Sequence, residues 1–184
     1  MTDTIRTIET DRLVLRPMTN ADAADLLSLG GDAATAYWAG MEPLKDIKDA
    51  EEMIYWGNVF ADEPQYAITE KGADKVVGVI SASYGWDMAG EPELALGYLL
   101  SPEVTRRGYM TEAVKAVCGD IFENTRWNKV MLEIRPDNIP SRGVAAKCGF
   151  VQNAAQREWR LNHYGKPLDE FFLYTEKESD PFAV

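Results

Sequence analysis

Residues 94–122 constrain this chain more than any other stretch. An apolar run, Leu94-Ala-Leu-Gly-Tyr-Leu-Leu100, leads through Ser101-Pro-Glu-Val-Thr-Arg-Arg-Gly108 into a segment where Ala113, Val114, Val117, Cys118, Ile121 and Phe122 recur at helical spacing. The spacing predicts a strand, a glycine turn, and a helix that buries one stripe. A helix begun in this way aims unpaired backbone N–H groups and the positive end of its dipole at one point. Arg106 and Arg107 stand beside that point. On these residues alone two readings stay open: a phosphate cradle, or an ordinary strand-to-helix connection with a solvated arginine pair.

The flanking pattern sets the fold class. Residues 8–17 alternate polar with apolar and stop at Pro17, which reads as one strand. Thr19 or Asn20 can cap a helix over 21–29. Residues 37–43 are aromatic and loop-like, and 47–60 carry a second helical stripe. Residues 65–70, 75–84 and 93–100 read as three strands with turns short enough for an antiparallel meander. After the central helix, 129–135 forms a strand expected to return parallel to the earlier one. Residues 136–141 are a turn and cap for a helix over 142–147, stopped by Gly149. Residues 150–152 and 170–175 form a closing hairpin with its loop around 162–168. The expectation is a single α+β domain over 1–184, with its core at about 8–177. Its sheet is mixed but mostly antiparallel and is flanked by helices.

Charge narrows the partners. Nineteen Lys and Arg against thirty Asp and Glu give a net charge of −11. That balance argues against nucleic-acid binding. It suits a basic acceptor, or it serves only solubility. Cys118 and Cys148 lie in apolar contexts and read as packing residues. One histidine, His163, is too few for a zinc site or a catalytic triad, so no metal is expected. No apolar run reaches membrane-spanning length and the first residues are no signal peptide, so the expected location is cytoplasmic, without membrane contact.

Several motifs, in order along residues 8–177, resemble those of GNAT acetyltransferases, and within them the RimJ/RimL-type N-acetyltransferases. Thr10-Asp-Arg-Leu-Val-Leu-Arg-Pro17 is similar to the opening strand. Leu96-Gly-Tyr, Pro102-Glu103 and Arg107-Gly-Tyr-Met-Thr-Glu-Ala113 resemble the acetyl-CoA signature. Asp137-Asn138-Ile-Pro-Ser141 with Lys147-Cys-Gly-Phe150 resembles the Asn-x-x-Ser segment, and Asp169-Glu-Phe-Phe-Leu-Tyr174 the last strand. Two positions depart from the pattern. Thr105 and Met110 stand where the cofactor loop usually has Gln or Arg and a small residue. Ala95 stands where relatives often carry a glutamate.

The resemblance implies acetyl-CoA as co-substrate and a single domain that works as monomer or homodimer. It implies that Arg106, Arg107, Gly108, Tyr109, Met110 and Thr111 hold the pyrophosphate, that Leu99 and Leu100 pair with the pantetheine arm, and that Asn138 bonds that arm. Ser141 would protonate the leaving thiolate; it also reads as a helix-cap residue, as Asn138 reads as an Asx turn. With Ala95 in place, a general base is sought in Glu93 or Glu133, either of which also reads as a solvated strand-end carboxylate. Tyr37, Trp38 and Tyr164 are expected to meet the substrate, with His163 nearby in the same loop. A terminal α-amine, with a pKa of about 8, is roughly a tenth neutral at pH 7, whereas lysine at about 10.4 is neutral far more rarely. Loss of the glutamate therefore suits a peptide N-terminal amine better than a more basic one. A small amine (polyamine, aminoglycoside or amino acid) is the alternative acceptor, and a non-catalytic acyl-CoA-binding module the alternative class.

Overall fold

The computed structural model describes residues 6–59, 63–86, 92–125, 127, 129–153 and 171–176. In chain order the elements are β1 (Ile8–Glu9), β2 (Leu13–Pro17), α1 (Ala23–Gly30), α2 (Ala33–Trp38), α3 (Ile47–Val59), β3 (Gln65–Glu70), β4 (Val76–Trp86) and β5 (Pro92–Leu100). Then follow α4 (Tyr109–Asn124), β6 (Lys129–Ile134), α5 (Ile139–Lys147), β7 (Val151–Asn153) and β8 (Phe171–Glu176). The strands form one sheet in the order β1-β2-β3-β4-β5-β6-β8-β7. Among the described residues only β5 and β6 run parallel, and the other neighbouring pairs are antiparallel. The exception follows from connectivity, since α4 carries the chain back across the sheet between them.

Helices cover both faces. On one, the α4 stripe of Ala113, Val114, Val117, Cys118 and Ile121 packs on Leu94 and Leu96 of β5 and on Val130, Leu132 and Ile134 of β6. On the other, Leu26 and Leu29 of α1 and Ala50 and Ile54 of α3 pack on Val79 and Leu99. Ile121 and Leu132 are each 1% exposed, so truncating either to alanine should cost about 2–5 kcal/mol.

Three local expectations change. Residues 8–17 are two strands, because the Thr10 hydroxyl accepts from Leu13 N–H at 3.0 Å and the Thr10 amide donates to Leu13 C=O at 3.0 Å, closing a turn. Tyr37 and Trp38 end a short helix where a loop is expected. Asp32 starts that helix, accepting from the Thr35 N–H at 2.8 Å and its hydroxyl at 2.7 Å. The helix expected over 142–147 begins earlier, at Ile139, because a proline in the first turn gives up no helical hydrogen bond.

Candidate active site

The site grows from one irregularity in the sheet. Pairing of β5 with β6 runs from Leu94↔Val130 to Leu96↔Leu132 and stops. Beyond it β5 stays with β4 as far as Gly78↔Leu100, while β6 stays with β8 as far as Ile134↔Phe171. The two parallel strands therefore part like a V. Ser101 N–H donates to Val77 C=O at 2.8 Å, so the antiparallel alternation also turns the polar groups of Leu99 and Gly97 toward β4. Those of Tyr98 and Leu100 face the gap. Of the expected pair, Leu100 thus offers the open edge, and Tyr98 takes the place of Leu99.

At the end of β5, Ser101 caps a single 3-10 turn, Pro102–Val104, accepting from Glu103 N–H at 3.3 Å. The chain then enters the left-handed region twice, at Arg106 (φ 63°) and Gly108 (φ 82°). Glycine meets the second without strain; arginine there is sparsely tolerated and marks a constrained loop. Gly108 caps α4 and has no side chain to accept from the first-turn N–H groups of Tyr109, Met110 and Thr111, an arrangement that suits an anion. Arg106 is exposed, and among the described residues it makes no ion pair. Arg107 lies 3.5 Å from Glu70 and donates to Glu103 C=O at 3.2 Å. The two arginines, alike in sequence, differ in how far they are already engaged.

A carboxylate clamp holds this loop. Glu112, in the first turn of α4, accepts from the Thr10 hydroxyl at 2.6 Å, Arg12 N–H at 3.0 Å and Arg12 Nε at 2.7 Å. Arg12 Nη1 also donates to Arg107 C=O at 2.9 Å, and its guanidinium lies 4.9 Å from the centre of the Tyr109 ring. Burial alone would raise the Glu112 pKa; the Thr10 and Arg12 hydrogen bonds outweigh it and hold the carboxyl below its ordinary value. The β1–β2 turn is thereby tied to the start of α4.

On the far side of the gap, Asn138 caps α5 by accepting from Ser141 N–H at 3.2 Å and is 8% exposed. Ser141 sits in the first helical turn. Tyr98 of β5 reaches toward it. Burial pushes the Tyr98 phenol up to about 12, with Ser141 the polar neighbour that pulls it partly back. The two hydroxyls stop short of a formed hydrogen bond. Cys148, half-buried, lies against the same region and donates weakly to Thr111 C=O at 3.5 Å.

The opposite face of the sheet carries the other candidates. Strand alternation puts Glu93, Ala95 and Gly97 of β5 there, together with Met131 and Glu133 of β6 and Arg135 just beyond it. Glu93 is 3% exposed and sits two residues before Ala95. Glu133 is exposed and stands one residue past the last β5–β6 pair, level with Gly97 where the strands part. Gly97 is itself exposed, and only Ser81 Oγ, at 3.7 Å, would meet a side chain placed on it. Tyr37 and Trp38 are 49% and 43% exposed and stack edge to face at 5.1 Å. The Arg135 guanidinium lies 4.3 Å from the Tyr37 ring centre and 5.9 Å from that of Trp38, and it donates to the Tyr37 hydroxyl. Tyr164 and His163 lie outside the described residues.

The cleft therefore unites Tyr98, Leu100, 106–111, Asn138 and Ser141 on one side and Tyr37, Trp38 and Glu133 on the other, with Glu93 set apart. Sequence reasoning missed Arg12, Tyr98 and Arg135. Arg12 and Tyr98 sit inside motifs already singled out, so a question about their partners would have found them. No local signal marks Arg135. Among the described residues no cluster of three metal-ligating side chains forms, and no helix is long and apolar enough to cross a membrane.

Comparison with known proteins identifies the fold and the family. The family model described as an acetyltransferase (GNAT) domain matches residues 12–151. Among curated relatives, the uncharacterized N-acetyltransferase p20 of Bacillus licheniformis is 26% identical over 84% of this chain and 88% of its own. The uncharacterized N-acetyltransferase YoaA of Bacillus subtilis is 26% identical over 88% and 92%. Among solved structures, a GNAT-family acetyltransferase from Bacillus anthracis superposes with a TM-score of 0.79 at 17% identity, covering 93% of this chain and 98% of its own. The ribosomal-protein α-N-acetyltransferase RimL, in complex with coenzyme A, gives 0.78 at 15%, covering 95% and 100%. Spermidine N-acetyltransferase from Vibrio cholerae, with CoA and spermine, gives 0.74 at 16%, covering 91% and 97%. These structures share the fold, and the names of RimL and of the spermidine enzyme point to different acceptors. The chain belongs to the GNAT family and is an acetyl-CoA-dependent N-acetyltransferase.

Proposed function

We propose that the acceptor is the α-amine of a peptide or protein N-terminus, acetylated where β5 and β6 part. The observation that carries this reading is the acceptor face itself. Its floor is Ala95 and exposed Gly97, and the carboxylate level with the opening is the exposed Glu133. An exposed carboxylate is a weak base, sufficient for an amine with a pKa of about 8 and poorly matched to one near 10.4. Glu93 is buried four residues before Gly97, about 13 Å of extended chain away, and in this reading it is a packing residue.

Each side of the cleft then has a task. The first-turn N–H groups of Tyr109, Met110 and Thr111, with Gly108 and Arg106, receive the pyrophosphate of acetyl-CoA, and Arg107 adds charge. The Tyr98 and Leu100 backbone pairs with the pantetheine arm as an extra strand would, with Asn138 as its side-chain partner. The neutral amine attacks the thioester carbonyl, and a backbone N–H of the β5 edge supports the oxyanion. As the C–S bond breaks, the thiolate takes a proton from Ser141, which regains one from solvent. Glu133 accepts the proton lost by nitrogen and returns it to solvent, so that both side chains end as they began. Tyr37 and Trp38 flank the entering peptide.

A polyamine is the second reading, favoured by the net charge of −11, which would draw in a polycation. The pH–rate profile with a peptide acceptor tests the assignment of the base. Glu133→Gln should lose the acidic limb and Glu93→Gln should keep it. An intact limb in Glu133→Gln would remove this carboxylate from the mechanism.

A further inference from the structure

We infer that Arg135 binds a carboxylate on the acceptor, so that the preferred amine carries an acidic group a few ångströms away. The inference rests on the reading above, in which the amine meets Glu133. Arg135 follows Glu133 by two positions on the same face, a separation of about 6.6 Å along extended backbone. A base and a fixed cation at that spacing match an ammonium and a carboxylate held in one small acceptor.

The guanidinium is held in place for this task. It lies against Tyr37, donates to the Tyr37 hydroxyl from Nη2, and directs Nε toward Asp137 at 3.4 Å. That ion pair is long and its carboxylate is 59% exposed, so it competes weakly for the charge. Among the described residues Nη1 has no hydrogen-bond partner. An arginine held against an aromatic ring with part of its donor fork unused is suited to carboxylate recognition. Placement agrees: α2 packs on β5, and Arg135 reaches α2 from the end of β6, so the contact spans the mouth of the V. The overall charge of −11 would repel an acidic acceptor, and a local arginine is what such an acceptor needs in order to dock.

The test is calorimetric titration of the CoA-loaded protein with matched probes. One pair is the tripeptide Ala-Asp-Leu and its twin Ala-Asn-Leu; the other is leucine and leucinamide. The acid member of at least one pair should bind about tenfold tighter or more. A preference confined to the peptides assigns the contact to an acidic second residue; one confined to the amino acid assigns it to the α-carboxylate. Arg135→Gln should weaken the acid member to the level of its amide while CoA affinity stays put. Arg135→Lys, which keeps charge without the planar fork, should retain part of the preference. Equal affinities within both wild-type pairs would overturn the inference, as would millimolar acid probes that fail to bind. Equal weakening of acid and amide in Arg135→Gln would make Arg135 a strut for α2 and overturn it as well. The readout is separate from turnover: absent acceptor-dependent thiol release would defeat the reading of the amine and leave the acid-to-amide ratio to be read by itself.

Discussion

The two sides of the cleft are made differently. In the proposed reading the donor side is mostly one stretch of chain, 98–111, whose backbone N–H and C=O groups are held by two left-handed residues and one carboxylate clamp. Asn138 and Ser141 join it from α5. The proposed acceptor side is assembled from segments far apart in sequence, with Tyr37 and Trp38 from α2, Gly97 from β5, and Glu133 and Arg135 from the end of β6. Backbone sites tolerate changes of side chain, which is why Met110 can stand where a small residue is usual. Side-chain sites change specificity with single substitutions. A family that keeps one donor and varies its acceptors needs this division.

Variants that touch only one side break the comparison most sharply. Ser141→Ala removes the proposed proton donor at the meeting point, and kcat should fall about 100-fold while the acetyl-CoA KM stays nearly unchanged. An equal loss in both would make Ser141 a binding residue. Gly108→Ala should act on the donor side alone. Left-handed backbone costs a non-glycine residue about 1–2 kcal/mol, and the new Cβ would lie 3.5 Å from Arg12 Nη2. The acetyl-CoA KM should rise about tenfold on that account, with the acceptor KM unmoved.

Glu112→Gln probes the clamp. Its loss should lower stability by about 1–2 kcal/mol, discounted because Arg12 is 48% exposed, as read by urea unfolding. The pH sign follows from the depressed carboxyl. The contribution is fully present above the unfolded value of about 4.3 and is lost as pH falls through the lower folded value. Wild type should therefore lose this part of its stability in acid, and the glutamine variant should show no such component. The smallest effect belongs to Trp38→Ala. Its side chain is 43% exposed, so the acceptor KM should rise a few-fold with acetyl-CoA kinetics unchanged.

The legible part of the fold was the part written locally. The strand, glycine turn and helix of 94–122, the parallel return of β6, and the Gly149 stop all follow from periodicity and backbone preference. The short α2 escaped because its aromatic end outweighed a quiet cap signal, Asp32 three residues before Thr35. The break at Thr10 escaped because a threonine hydroxyl that closes a turn looks, in sequence, like any polar position in an alternating strand. At the site, Arg12 and Arg135 act through partners 100 and 98 residues away, and no spacing rule reaches that far. The donor loop could be read from adjacent residues; the acceptor face needed the sheet to bring its parts together.

The most direct test supplies acetyl-CoA with equal concentrations of a free-N-terminus peptide and spermidine, following thiol release and locating the acetyl group by mass spectrometry. The account predicts release that depends on the peptide and an acetyl group on its α-nitrogen, with spermidine turned over at least tenfold more slowly. Faster turnover of spermidine, or acetylation at a lysine side chain alone, would contradict it.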